Sequence, residues 1–353
     1  MTSAGASLRA LVACLKGEPP RIDDWTSVID LANRSWLTPA LFSGLARACR
    51  LEVLPQEVRD YCAFIHDRNL ERNRRLHAQL IEAVGALNAL NIQPTLLKGA
   101  GILFTAPADR QGSRMMCDLD LMVAHDEHDA AEACLRRIGY RTTYGMQGMW
   151  RPDDAGLLEL HSGSGSFGRY YPAEELARSS TTVTRGAASA KLTSPTCRAL
   201  HLVVHDQIKE GDYWRGTVDL RHLHDLYQLT LTPEAIDWNS VQDVLSDRLG
   251  RHALQTALLS LHALFGTPLP SEIRFGWMAH AQHWRRMMQQ NHPVPALPLR
   301  LAGELAWFYR RIRAPDGVDP FRRGFARRVM RKLLQGPKKT YASLRGVHLG
   351  PKL

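Results

Sequence analysis

No apolar run in the sequence approaches the ~20 residues that a membrane-crossing helix needs, so no spanning helix is expected. The six cysteines (Cys14, Cys49, Cys62, Cys117, Cys134, Cys197) include no C-x-x-C pair. That excludes a zinc knuckle and a disulfide framework, and it suits reduced thiols. Internal repeats and low-complexity segments are lacking. So is an N-terminal basic leader followed by an apolar stretch and a small-residue cleavage site, and a cytoplasmic location is expected. Net charge is also scarce over most of the length. Of the overall +10, the stretch from Tyr309 to Leu353 holds 13 Lys and Arg against Asp316 and Asp319, a local +11 that leaves about −1 upstream. The basicity belongs to the tail.

What is present is an ordinary globular composition, 44% hydrophobic and 23% charged, over 353 residues, enough for more than one domain. Helical periodicity dominates the first ~90 residues. "TPALFSGLARAC" has Thr38 as N-cap and Pro39 at the first helical position. Leu76, Leu80, Val84 and Leu87 fall on one helical face. The pattern then changes. "IQPTLLKGAG" reads as a buried strand ending in glycines and "CDLDLMV" as a second. "HDAAEACLRRIG" reads as a helix closed by Gly139, and "YRTTY" and "LLELH" as two more strands. After residue 190 helical segments return, "HLVVHDQI", "VDLRHLHDLYQL" and "VQDVLSDRLGRHALQTALLSLHALF" being the clearest. The expected fold class is α+β. A small mixed-sheet core at 91–190 is flanked by a helical region at 1–90 and a helical domain at 191–314, with a basic amphipathic tail at 315–353.

The chemistry concentrates in "MMCDLDLMV". Residues i and i+2 of a strand share a face, so Asp118 and Asp120 project together while Leu119 and Leu121 enter the core. Paired carboxylates repel, and burial raises the pKa of at least one. On that account, removing either should not destabilise the ligand-free chain. A divalent cation removes the repulsion, and Mg²⁺ takes one or two carboxylates together with phosphate oxygens. The competing reading is an edge strand whose aspartates face water. Context favours the cation. "LLKGAG" offers bare backbone at Gly99 and Gly101, with Lys98 poised for a phosphate. "LLELH" sets Glu159 and His161 on one face as a third carboxylate and its neighbour. Such a set suits metal-assisted nucleotidyl transfer from a nucleoside triphosphate.

"LLKGAG", R-x-x-x-D-L-D-L-M-V from Arg114 to Val123, "LELH" from Leu158 to His161, and "HLVVHDQI…WRGTVDL" from His201 to Leu220 carry a resemblance. Across most of residues 25–235 the chain resembles the bacterial uncharacterised nucleotidyltransferases of the polymerase-β-type superfamily. The resemblance implies Asp118 and Asp120 as ligands of Mg²⁺ or Mn²⁺, with Glu159 as third ligand or base. It implies Gly99 and Ala100 in the triphosphate loop, where Gly-Gly or Gly-Ser is more usual, and ATP as the expected nucleotide. Lys98 and Arg114 are candidate phosphate contacts, against a role in surface salt bridges. His161, His205, Arg215 and Asp219 are candidates to line the nucleotide cleft. The acceptor, a small molecule, a peptide or protein, or RNA, is not readable. The alternative is a non-catalytic nucleotide- or RNA-binding module that retains the fold.

Three further patterns compete for attention. "GSGSFG", residues 163–168, matches G-x-G-x-x-G but lacks the following strand and acid of a dinucleotide fingerprint, and a loop beside the site is expected. His201 and His205, at i and i+4, with His222 and His224 nearby, could share a metal; capping and core hydrogen bonding are the stronger expectation. In the tail, Phe321, Phe325, Val329 and Leu333 recur every fourth residue amid six arginines and lysines. That stripe could dock on the helical domain, lie on an anionic membrane surface, or present the basic residues to RNA.

Overall fold

The computed structural model describes residues 4–142, 148–162, 170, 176, 179–232 and 234–313. The tail and the "GSGSFG" loop therefore lie outside the described residues, as do the last two residues of "YRTTY". The fold is α+β, with thirteen α-helices and a seven-stranded mixed sheet among the described residues.

Three helices open the chain: α1 (Ala4–Lys16), α2 (Trp25–Arg34) and α3 (Thr38–Arg47). Thr38 is one position inside α3 rather than its N-cap, which is Leu37; its buried hydroxyl donates to Asn33 at 2.6 Å instead of serving the helix end. Pro39 stands in the first turn, where a missing N–H costs nothing. Next comes α4 (Gln56–Asn88), 33 residues and about 50 Å at 1.5 Å per residue. Its two ends serve different cores. Cys62 joins the apolar cluster of α1 to α3, whereas Leu76, Leu80, Val84 and Leu87, all fully buried, pack on the sheet.

The sheet strands are β1 (Thr95–Leu96), β2 (Asp118–Val123), β3 (Arg141–Thr142), β4 (Met149–Trp150), β5 (Leu157–Ser162), β6 (Ser180–Arg185) and β7 (Ala188–Thr193). Their order is β3-β4-β5-β2-β1-β7-β6, with β2 and β5 parallel at the centre. Helix α5 (Lys98–Thr105) follows β1, and α6 (His128–Arg137) crosses between β2 and β3. The expected strand in "LLKGAG" is thus only two residues long, and its glycines belong to α5. The physical reason is close packing. A Cβ on Gly101 would lie 2.7 Å from the Leu192 side chain of β7, so bare backbone lets the helix seat close to the sheet, and one on Gly99 would lie 2.5 Å from Arg114 Nη1, where bare backbone leaves room for that guanidinium. Strands β6 and β7 form a hairpin in which Arg185 faces Ala188 across Gly186 (φ +57°) and Ala187; β7 runs to Thr193.

Beyond the sheet come α7 (Pro195–Val203), a π-helical turn at Val204–Lys209, α8 (Asp212–Arg215), α9 (Leu220–Thr230), α10 (Trp238–Val244), α11 (Arg248–Phe265), α12 (Trp277–Asn291) and α13 (Leu297–Arg313). Leu220, Leu223, Leu226 and Leu229 of α9 enter the same apolar cluster as α1 to α3. The N-terminal and C-terminal helices therefore share one core and meet beside the carboxylate face of the sheet. Among the described residues no helix is long and apolar enough to cross a membrane. All six cysteines are free.

Candidate active site

Strand alternation does what the spacing requires. Leu119, Leu121 and Leu158 are fully buried on the face against α4, leaving Asp118, Asp120, Glu159 and His161 on the other. The parallel register sets Asp120 opposite Glu159 and Met122 opposite His161. Asp120, Glu159 and His161 bring one ligand atom each within 4.8 Å of one another, a group able to hold a metal ion. Asp118 is outside that tight group, although its charge reaches both Glu159 and Arg114.

The loop that delivers β2 is held from below by α4. Asn69 donates to the carbonyls of Gly112 (2.7 Å) and Arg114 (3.1 Å), Asn73 to those of Gln111 (2.6 Å) and Arg114 (2.8 Å), and Arg72 to that of Met116 (2.6 Å). Gln79 donates to the carbonyl of Gly156, which precedes β5. Buried polar groups with such partners fix a loop as firmly as a strand ladder does. These four side chains escaped the sequence reading. Their signal is the helical row 69, 72, 73, 76, 79, 80, polar at one end and apolar at the other.

Asp120 is 1% exposed and is not held by a second carboxylate. Lys98 Nζ lies 2.6 Å from its Oδ1 and His161 Nε2 3.0 Å. Lys98 reaches it because the chain turns sharply out of β1, with Lys98 at φ +44°, while Leu97 N–H donates to the Asp120 carbonyl. Burial pushes the Asp120 carboxyl up, but the His161 hydrogen bond and the Lys98 charge outweigh it, and the group sits well below the usual carboxylate range. Glu159 goes the other way: burial, then the Asp120 charge, raises it. The expectation that losing either aspartate leaves stability untouched is therefore corrected for Asp120, whose charge is compensated by Lys98.

A family described as uncharacterised nucleotidyltransferase matches residues 22–266, well over half of the chain. The chain belongs to that family. Comparison with curated proteins and with solved structures finds no match. The match covers the carboxylate sheet, α4 and the helices up to α11, so the strand carboxylates and the helical wall lie within one family unit.

That wall lies across a cleft of about 560 Å³ from the start of α5, lined by Lys98, Arg114, Arg198, His201, His205, His222 and Asp225 among others; Lys98 joins it to Asp120, and none of the strand carboxylates lines it. Arg114 is clamped there: Nε donates to both oxygens of Asp225 (3.1 and 3.0 Å) and Nη2 to one (2.9 Å), leaving Nη1 toward Gly99. His205 and His222 reach the cleft too, with their rings 5.3 Å apart edge to face. Two predicted residues are placed elsewhere. Arg215 donates to Glu304 at 2.8 Å, and Asp219 caps α9 through the N–H groups of Arg221 and His222.

Behind the cleft is a second group, His205, Asp206 and His222, also within metal-binding reach. Here Asp206 Oδ1 already faces His222 Nδ1 (2.6 Å) and His205 Nδ1 (3.2 Å). Burial opposes the Asp206 charge, yet the His222 charge draws its pKa down to about 2. Burial likewise opposes the His222 charge, and Asp206 raises it to about 9. Arg198 and Asp225 were missed in the sequence. Arg198 stands at i−3 from His201 on α7, a spacing that would have flagged it.

Proposed function

We propose that the protein is a Mg²⁺- or Mn²⁺-dependent nucleotidyltransferase that moves a nucleoside monophosphate from a triphosphate, ATP as the first candidate, to a hydroxyl or phosphate acceptor. The Asp120–Glu159–His161 group carries this reading, together with Asp118 on the same strand face. The donor set fits a hard divalent cation. It is oxygen-rich, and Glu159 is a carboxyl whose ionisation is disfavoured by burial and then by its neighbour's charge until a cation offsets both. Asp118, Asp120 and Glu159 would hold the ion, which would neutralise triphosphate charge during in-line displacement.

The chain's own groups do the rest. An acceptor oxygen forms the new bond to the α-phosphorus, the bond to the bridging oxygen breaks, and pyrophosphate leaves with that electron pair. Where the ion rests on Asp118 and Asp120, Glu159 on the same face is the group placed to take the acceptor hydroxyl proton. Lys98 exchanges Asp120 for a phosphate oxygen when nucleotide enters, and Arg114 Nη1 and His205 line the path across the cleft.

One observation favours a second reading, a nucleotide-binding module without turnover: the 2.6 Å Lys98–Asp120 pair competes with a cation for the same carboxylate. Incubation with each labelled NTP and Mg²⁺ or Mn²⁺ separates the two. Label is followed onto the protein itself and onto small-molecule, peptide and RNA fractions of an extract. Transfer in wild type that is lost in Asp118→Asn supports the enzyme, whereas NTP binding without transfer to any fraction supports the binding module.

A further inference from the structure

The cleft holds three long cations, and two are already engaged: Lys98 by Asp120, and Arg114 by both oxygens of Asp225. The third is not. Arg198 projects from α7 into the same cleft, half-buried, and among the described residues its guanidinium makes no hydrogen bond and no ion pair. Burial is the largest influence on it and disfavours its charge. Asp225 offsets this from beyond ion-pair reach, and Arg114 adds repulsion.

A half-buried guanidinium with no protein partner has its charge disfavoured by the surrounding apolar wall and keeps its donors free for water or a ligand. Its fork of N–H donors is shaped for a carboxylate or phosphate. The neighbouring walls, Leu97, Ile102, Leu202 and Leu229, offer that anion no competing hydrogen bond. They suit an apolar or planar body attached to it.

We propose that Arg198 is an anion-binding residue of the cleft, holding a phosphoryl group of a bound substrate against the helical wall opposite the carboxylate strands. This deepens the transfer reading and rests on it for the word substrate; the anion site itself does not depend on turnover. The phosphoryl group has two sources, the triphosphate of the nucleotide or a phosphate on the acceptor.

Titration calorimetry of the full chain and of Arg198→Gln with inorganic tripolyphosphate, Mg·ATP, adenosine and inorganic phosphate tests it. The expected result is a loss of roughly tenfold or more in tripolyphosphate affinity, of the size seen when a charge-assisted hydrogen bond is removed. If the anion belongs to the nucleotide, Mg·ATP weakens with it while adenosine does not. If it belongs to the acceptor, Mg·ATP binding is unchanged and inorganic phosphate binding to the ATP-saturated protein is lost. Melting temperature supplies the structural control. An unpaired, half-buried charge is removed, so Arg198→Gln should melt no lower than wild type, and affinities unchanged for every probe, whatever the melting point, overturn the proposal. Should the variant fail to fold, wild type carries the test alone: tripolyphosphate or phosphate should shield Arg198 from phenylglyoxal, read by peptide mass spectrometry. No shielding by either probe sinks it. Arg198-dependent tripolyphosphate binding without transfer of any labelled NTP would leave this site standing and remove the transferase reading.

Discussion

The protein carries two groups of histidine and carboxylate, one on strands β2 and β5, the other on the helices that follow the sheet. Both bring three possible ligand atoms within 4.8 Å, and composition alone would not separate them. Their surroundings do. On the helices Asp206 is 8% exposed, faces two imidazoles and draws His222 into a buried ion pair, so its acceptor capacity is used within the protein. On the strands the carboxylates outnumber the internal partners. Lys98 and His161 both meet Asp120, while Glu159 has its charge disfavoured and Asp118 keeps an open flank. A saturated group stabilises a fold. An unsaturated one awaits a ligand.

The largest expected effects follow from that contrast. Asp118→Asn and Glu159→Gln should each reduce nucleotidyl transfer by roughly 10²-fold or more, since one lost electrostatic stabiliser commonly costs that much. Glu159→Gln should still bind nucleotide, and at neutral pH it should be no less stable than wild type. A raised carboxyl contributes stability only below its ordinary pKa and loses it as pH rises through the folded value. Full turnover in both variants would break the comparison at its functional end.

Asp206→Asn should do the opposite. It leaves the buried His222 with only the more distant Asp219, 3.5 Å away, to offset its charge, a loss of about 3 kcal/mol at most. Chemical denaturation should show that drop, and the Mg²⁺ dependence of any transfer should be unmoved. A variant as stable as wild type but altered in metal response would make the helical group the metal site. Asp120→Asn combines the two effects and should lose transfer together with about 1–3 kcal/mol of stability, because the partly exposed Lys98 is left unpaired.

The pH dependence sharpens the helical side. His222 is raised from 6.5 to about 9, so its contribution is complete below about 6.5 and fades as pH climbs to about 9. Asp206, lowered to about 2, contributes above the ordinary carboxylate range and loses that only as pH falls toward 2. The stability difference between wild type and His222→Gln should therefore be widest near pH 5–6 and shrink by pH 9, in denaturant titrations across that range. A flat difference would mean that the pair is not ionised.

The smallest effect is expected from the tail. Deleting residues 320–353 should leave NTP affinity unchanged, since every candidate nucleotide contact precedes it. If the tail serves an anionic partner, the intact chain should bind RNA or anionic vesicles with steep salt dependence and the truncated one should not. Equal, salt-insensitive binding by both forms leaves docking on the helical domain.

Much of this was legible in the order of residues. A period of two in "CDLDLMV" is enough to aim Asp118 and Asp120 at one face and the leucines at the other, and a period near 3.6 is enough to bury Leu76, Leu80, Val84 and Leu87 of α4. The hairpin of β6 and β7 was legible too, in a β-branched run followed by a glycine turn at Arg185–Ala188, although it was not read.

Periodicity is a local property, and it fixes which way a side chain points. What it meets there depends on strands and helices far apart in the chain. Only the tertiary structure could decide that Lys98, 22 residues before Asp120, turns onto it from the start of α5. It likewise decided that Arg114 is held by Asp225, 111 residues away, and that Arg198 stands in the same cleft without such a partner. The carboxylates were written in the sequence; which of their neighbouring charges are already balanced is set by packing, because Coulomb interactions act through space and not along the chain.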